Sequence, residues 1–484
     1  MSLDESTLAA FIRYFPGEVL RPADAGFAEA RAAGVWNGSI TRQPSLIARP
    51  TTTDDVAMVI ALCRETGTDL TVRGGGHSAA GSCVEDGAVM IDLSRMNDVR
   101  VDPDGRRAYV GAGASWADVD AATATHRLAA VGGLVSHTGV AGLTLTGGMG
   151  WLTSQHGLAC DNLVAATLVT ADGRTVTVTD ESEPDLMWAL RGAGTNFGIV
   201  TEFVYALHEV DPLANLGLLF WPVADAAGPL AFAREYLFQL PHTMGAVVAA
   251  LSAPPEPFVP AQHQGAPGIA VIVANWGSAE EHAAAIAPLR EQGPLFELVT
   301  PLPYVALQQM LDNAEPWGIR AYAKSLNFDD LPDEAIAILL DRLPRRRSPM
   351  SYVPMLTLRG RYSEVADDAT AWGSPRTARW AAALIGVAWD DESFAADRVW
   401  VRELWQALRP YAASQGAYLN FESDPDQARV RASYGEQKYR RLAALKARWD
   451  PDNVFHHNPN VAPAATEAPS PRQAPPTPAG AGTV

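Results

Sequence analysis

The chain has 484 residues, 48% of them hydrophobic, and its 37 Lys and Arg against 55 Asp and Glu leave a formal net charge of −18. At about 100 to 200 residues per domain, that length implies two to three lobes with ample core, and so acidic a balance excludes nucleic acid and anionic membranes as partners. No apolar run reaches the roughly 18 residues of a membrane span, and Met1 to Tyr14 carries charges in place of a signal-peptide core, so the cytoplasm is the expected compartment.

Up to Asn37 the pattern predicts a short helical lead-in, with Leu8 to Tyr14 packed on the body. Thr52 to Asp55 is a helix-cap cluster; Val56, Val59, Ile60 and Cys63 follow at helical spacing, and Gly67 stops the helix. Leu70 to Val72 and Val89 to Leu93 read as strands. Between them lies Arg73-Gly74-Gly75-Gly76-His77-Ser78. Taken alone, three glycines beside a histidine could be a mobile surface loop. Joined into a βαβ-like layer, they favour a cradle in which bare amide N–H groups hold an anion such as a diphosphate, with His77 beside whatever it carries. Ser78 is no hydrolase nucleophile, because Gly76-His77-Ser78-Ala79-Ala80 lacks the second glycine of a nucleophile elbow.

Arg107 to Val110 predicts a strand and Trp116 to Thr123 a helix. Gly132 to Trp151 is a second glycine-rich region containing Gly139, Gly142, Thr146, Gly147, Gly148 and Gly150. By itself it is a set of tight turns; paired with the first loop it suits a long ligand clamped by backbone from two sides. Gly157-Leu158-Ala159-Cys160-Asp161-Asn162 leads into a hairpin of Leu163 to Thr170 and Thr175 to Thr179, turned at Ala171-Asp172-Gly173-Arg174. Asp185 to Arg191 predicts a helix, and Gly192 to Gly198 precedes the strand Ile199 to Leu207. Those glycines are no Rossmann fingerprint, since they follow a helix and precede a strand.

From about Val210, strand-like runs such as Ile269 to Asn275 alternate with helix-like ones such as Glu280 to Leu289 and Asp333 to Leu343. This predicts an α+β lobe, an antiparallel sheet backed by helices. Arg345-Arg346-Arg347 reads as a solvated loop end. Tyr418 to Phe421 reads as a strand, and Tyr434-Gly435 as the opening of a helix with Tyr439, Leu442, Leu445 and Trp449 on one face. Past Val461, the Pro, Ala, Thr and Gly-rich tail has no core-forming pattern and is expected to be disordered.

Four of these stretches in order, Arg73 to Ser78, Gly139 to Trp151, Gly157 to Asn162 and Asn196 to Val200, resemble the FAD domain of the berberine bridge enzyme-like oxidases, within the vanillyl-alcohol oxidase and p-cresol methylhydroxylase flavoprotein superfamily. The resemblance implies a two-subdomain FAD-binding module of that type over 1–209 (about 1–105 and 106–209). A substrate lobe over 210–415, a segment over 416–463 returning to the FAD domain and a disordered tail over 464–484 would complete the chain. It implies that the FAD diphosphate lies on Arg73, Gly74, Gly75, Gly76, His77 and Ser78, with His77 bonded to the flavin 8α-methyl. Gly139, Gly142, Thr146, Gly147, Gly148 and Gly150 would hold the rest of the cofactor, together with Asp161, Asn162, Gly198, Ile199 and Val200. Tyr418 becomes the candidate base in front of the flavin, with Asn458 and Asn460 near the isoalloxazine; Pro459 replaces the usual polar residue between them.

Val135 stands where many members carry a second, cysteinyl attachment, so a single covalent bond is expected. Cys63, Cys83 and Cys160 are scattered and odd in number, which leaves neither a disulfide framework nor a CxxC metal site, and Cys160 reads as a small buried side chain. No metal is expected. Near Leu356 to Tyr362 the family pattern is altered, and Arg359, Arg361 and Tyr362 are candidate pocket residues. Val164 falls where the family often has a small gatekeeper of oxygen access.

The implied activity is hydride removal from an alcohol, lactol or amine carbon of a small molecule, with O2 as acceptor and hydrogen peroxide as product. A base must take the adjoining O–H or N–H proton, and Tyr418 serves only if its pKa lies well below the ordinary value of about 10. A dehydrogenase using another acceptor would carry the same motifs, and a non-catalytic flavin-binding protein would have Tyr418 turned away.

Overall fold

Thr52 and Asp55 form a reciprocal capping box, the helix runs Thr53–Thr66, and Gly67 ends it in the left-handed region at φ 64°. Val56, Val59, Ile60 and Cys63 are buried, as their spacing predicts. In the computed structural model, which describes residues 4–465, this helix crosses between strands Leu46–Arg49 and Leu70–Arg73, both parallel to Val89–Asp92. Glu18–Leu20 adds an antiparallel edge to that sheet. The lead-in helix Glu5–Tyr14 is capped by Asp4 and lays Leu8 and Phe11 against the core.

The second sheet has five antiparallel strands in the order Val99–Asp102, Arg107–Gly111, Ile199–Ala206, Leu163–Val169 and Thr175–Thr179. The expected hairpin is present, and its Gly173 takes φ 83° at the turn. Ser115 caps the helix Trp116–Ala124, which buries Trp116 and Val119.

The third sheet has seven strands, every neighbour antiparallel, in the order Phe296–Pro303, Leu213–Pro222, Pro267–Asn275, Met244–Ser252, Val353–Thr357, Trp380–Ala388 and Arg320–Phe328. The α+β organisation is therefore as expected. Trp380–Ala388 is buried along its whole length because both faces are covered. Trp380, Ala382 and Leu384 face a core that includes Leu230, Ile286, Leu339 and Trp400 from the helices behind. Ala381, Ala383, Ile385 and Val387 point the other way, toward the glycine-rich half of the chain.

Three local expectations are corrected. Tyr418 to Phe421 is not a strand: Leu419–Phe421 is a single 3-10 turn, and the Tyr418 amide donates to Ser325 Oγ at 3.0 Å in place of a sheet ladder. The last long helix does not open at Tyr434-Gly435 but at Asp426, whose side chain caps Gln427–Trp449; Gly435, at φ 70°, is a kink inside it. Arg345 and Arg347 are exposed as expected, but Arg346 is half-buried against Leu343 O and Ser252 Oγ. The expected tail lies outside the described residues from 466 onward.

The end of the chain is tied down by a buried cation. Lys446 Nζ donates to Asn196 O, Asp450 Oδ2 and Phe455 O, and the Val461 amide donates to Asn196 Oδ1. These bonds bring 455–461 against the glycine-rich half. The two halves are also clamped by Asp161 with Arg376, both buried, and by Ser136, which donates to Asp312 through its amide and hydroxyl.

Candidate active site

The two glycine-rich stretches meet backbone to backbone. A Cβ on Gly75 would lie 2.2 Å from Gly139 Cα, and one on Gly139 would lie 2.4 Å from Gly75 Cα, so neither position has room for a side chain. Gly76 takes φ 72°, and its carbonyl accepts the Trp36 amide. The paired loops form one end of a cavity of about 620 Å3, whose opposite wall is the third sheet and whose rim includes the returning C-terminal segment. The size is that of a cofactor or substrate chamber.

Of the expected site residues, Gly74, Gly75, Gly76, His77, Ser78, Gly139, Gly142, Thr146, Gly198, Ile199, Val200, Tyr418 and Asn458 line this cavity. The others stand outside its lining. Arg73 holds Asp92 at 3.0 Å. Gly147 and Gly148 turn at φ 126° and 86° beneath Trp372 and Leu143, and Gly150 packs against Gly132 O. Asp161 is bound by Arg376, while Asn162 donates to His156 O and Leu158 O. The Asn460 Oδ1 atom is buried without a partner among the described residues, and so is Asn458 Oδ1.

His77 is stacked on Trp36 with ring centroids 4.5 Å apart, and its Nε2 lies 3.1 Å from His137 Nδ1. Burial, with His137 adding to it, pushes the His77 pKa down to about 3. The ring is therefore neutral at physiological pH and keeps a nitrogen lone pair. Tyr418 presents its hydroxyl at the cavity, where the oxygen accepts Gly148 N–H at 3.2 Å and Asn420 Nδ2–H at 2.8 Å. These are the donors that the sequence could not identify. Burial nevertheless outweighs them and raises the Tyr418 pKa above its ordinary value.

Three candidates fall elsewhere. Arg359 is enclosed by the carbonyls of Leu240, Pro241 and Met244; Arg361 is exposed beside Glu364; and Tyr362 donates to Pro375 O at 2.9 Å. Their side chains serve the fold and do not line the cavity. Val164 is half-buried on its strand, also outside the lining, whereas Val135 is part of it. Cys160 is fully buried, and burial raises its thiol well above the ordinary value, which keeps it unreactive. The pattern of residues gave no warning of Glu315 and Tyr352, a hydrogen-bonded pair on the cavity wall. Neither lies in a motif.

The chemistry of this donor set fits FAD. Amides of two apposed glycine loops suit a diphosphate, Gly142 leaves open space where a Cβ would stand, and the unpartnered Asn458 Oδ1 offers an acceptor to a ring N–H.

Similarity to known proteins agrees. Residues 44–179 match the family described as FAD binding domain, and residues 417–462 match berberine and berberine like. The (R)-6-hydroxynicotine oxidase of Paenarthrobacter nicotinovorans is 32% identical over 463 residues, covering 92% of this chain and 97% of that protein. An FAD-linked oxidoreductase of Dictyostelium discoideum is 30% identical over 88% of this chain and 91% of its own. The crystal structure of 6-hydroxy-D-nicotine oxidase from Arthrobacter nicotinovorans superposes with a TM-score of 0.82 at 29% identity, covering 93% of this chain and 98% of that one. With a glycine-loop cavity, a neutral, half-buried histidine and these relatives, the chain belongs to the berberine bridge enzyme-like family of FAD-dependent oxidoreductases.

Proposed function

We propose that the protein is an oxidase carrying FAD covalently on His77 through a single bond, and that it removes a hydride from an alcohol, lactol or amine carbon of a small molecule. FAD, when bound, supplies the two-electron acceptor beside which the substrate carbon is held, and O2 is the final acceptor, giving hydrogen peroxide. The observation that carries the reading is His77: a neutral imidazole at the end of the glycine loop, in the same cavity as Tyr418. Residues 1–209 are read as the FAD module, 210–415 as the substrate lobe and 416–463 as the segment that returns Tyr418 and Asn458 to the cavity.

In this reading Gly74 to Gly76, Ser78, Gly139, Gly142 and Thr146 contact the cofactor, as do Gly198 to Val200 and Asn458. Arg73, Gly147, Gly148, Gly150, Asp161, Asn162 and Asn460 instead hold those contacts in place. Tyr418 receives the substrate proton in its phenolate form, becoming a phenol, and Gly148 N–H and Asn420 stabilise that phenolate before the proton arrives. The name oxidase, borne by two of the relatives, supports O2 as acceptor.

Acid precipitation tests the attachment. Flavin should stay with the denatured polypeptide, His77→Ala should release it, and a peptide map should show one flavin bond per chain, with none on Cys160. A colourless pellet from the parent protein would refute the covalent reading. Stopped-flow reoxidation by O2 against quinones would separate oxidase from dehydrogenase.

A further inference from the structure

The cavity wall formed by the third sheet is apolar, made by Ala321, Ala323, Pro354, Leu356 and Ile385. Into it the segment after the turn Asp312–Ala314 places one carboxyl group, that of Glu315, which is 6% exposed. The segment is firmly held. Trp36 Nε1–H donates to Glu315 O at 2.8 Å, the Gly318 amide donates to Trp36 O at 2.9 Å, and Asp312 accepts from Ser136.

Four carboxylate residues line the cavity, and three of them already have a cation. Glu85 pairs with Arg42, Glu422 with Lys324 and Arg429, and Asp424 with Lys324 and Arg402. Among the described residues Glu315 has no Lys or Arg within ion-pair distance; its side chain is met by the Tyr352 hydroxyl alone. Burial pushes this carboxyl up to about 7, against the pull of Tyr352. An acidic group buried without a counter-charge is destabilising, and a hydrophobic residue would pack there at no such cost.

We infer that Glu315, oriented by Tyr352, is the subsite for a cationic nitrogen of the substrate, so that the chamber takes a small amine on an apolar skeleton and not a sugar. A sugar would need several donors and acceptors around its hydroxyls, and the sheet wall offers five apolar side chains. The inference rests on the reading of this cavity as the substrate chamber of an FAD enzyme.

The test is isothermal titration calorimetry of the full-length flavoprotein with cumylamine and cumyl alcohol. These share an apolar body, differ in charge and lack a C–H on the carbon bearing the heteroatom, so neither is consumed. The amine should bind the parent roughly 10-fold more tightly, the yield of one charge-assisted contact. Glu315→Gln should bring the two ligands within about threefold while leaving the alcohol unchanged. Equal affinities in the parent, or a preference that survives Glu315→Gln, would overturn the inference. Should that variant not fold, Tyr352→Phe decides: loss of its hydroxyl raises the Glu315 pKa and must weaken the amine, and an unchanged preference overturns the proposal. Purified protein without FAD would refute the functional reading and remove the basis of this inference with it, whereas a yellow protein blind to charge would refute this one alone.

Discussion

A phenol oxygen has two lone pairs and a phenolate three, and at Tyr418 two acceptor positions are filled by Gly148 N–H and Asn420. As a phenol, Tyr418 has only its own proton to offer; as a phenolate, it has one acceptor position left for substrate. Tyr418→Phe should keep fold and flavin while substrate-driven flavin reduction, followed by stopped flow, slows roughly 100- to 10,000-fold. Because burial raises this pKa, the parent reduction rate should climb with pH and not level off below about pH 10; a plateau near neutrality would assign the base elsewhere. Asp120 makes the opposite kind of prediction, one of stability. It is buried with Gln308 as donor, Oδ1 has no hydrogen-bond partner among the described residues, and burial pushes its carboxyl from 3.8 up to about 7. A folded pKa above the unfolded one means stability that is whole below pH 3.8 and lost as pH rises to about 7. Asp120→Asn should therefore melt higher than the parent at pH 8, by at most about 4 kcal/mol, with the gap closing toward pH 4.

At the scale of elements, the cavity depends on glycines for two different reasons, and two alanine variants separate them. Gly75→Ala places a Cβ 2.2 Å from Gly139 Cα, a clash of backbone with backbone that side-chain rotation cannot relieve. It should lower the melting temperature and the flavin content together. Gly142 lies inside the helix Val140–Leu145 and meets nothing within 4 Å, yet it borders the cavity. Alanine there should stabilise the apoprotein by about 0.5 to 1 kcal/mol through helix propensity while reducing FAD content, since its methyl group occupies cofactor space. Equal flavin content in Gly142→Ala and the parent, measured by absorbance per chain, would remove this helix from the FAD contacts.

At the scale of the whole molecule, the lobes are joined through buried polar groups as well as apolar packing. Arg376 reaches across to Asp161 with bonds of 2.9 and 2.7 Å, both side chains being almost inaccessible. Arg376→Met strands the Asp161 charge and should cost about 3 to 5 kcal/mol. Adding Asp161→Asn should restore much of the loss, and thermal melts of the single and double variants measure both. No helix among the described residues is long and apolar enough to cross a membrane, in line with the absence of a long apolar run.

What the sequence determined by itself was local. The Thr52 and Asp55 cap, the Gly67 stop, the hairpin at Asp172-Gly173 and the glycine loop before His77 each depend on neighbours a few residues away, and their dihedral and hydrogen-bonding preferences act over that range. Tyr418 to Phe421 has residues that favour a strand, but it meets the edge strand Arg320–Phe328 through the Ser325 hydroxyl and the Glu422 carboxylate and not through a backbone ladder, and it closes into a turn. The tertiary structure alone decided which groups share the cavity: Gly75 against Gly139, Tyr418 beneath Gly148, and Glu315 beside Tyr352 with no counter-charge among the described residues. Arg359 and Tyr362 were drawn into carbonyl nests of the fold for the same reason. A buried polar side chain takes its partner from whichever segment packing brings within 3 Å or so, and that partner has no fixed distance along the chain.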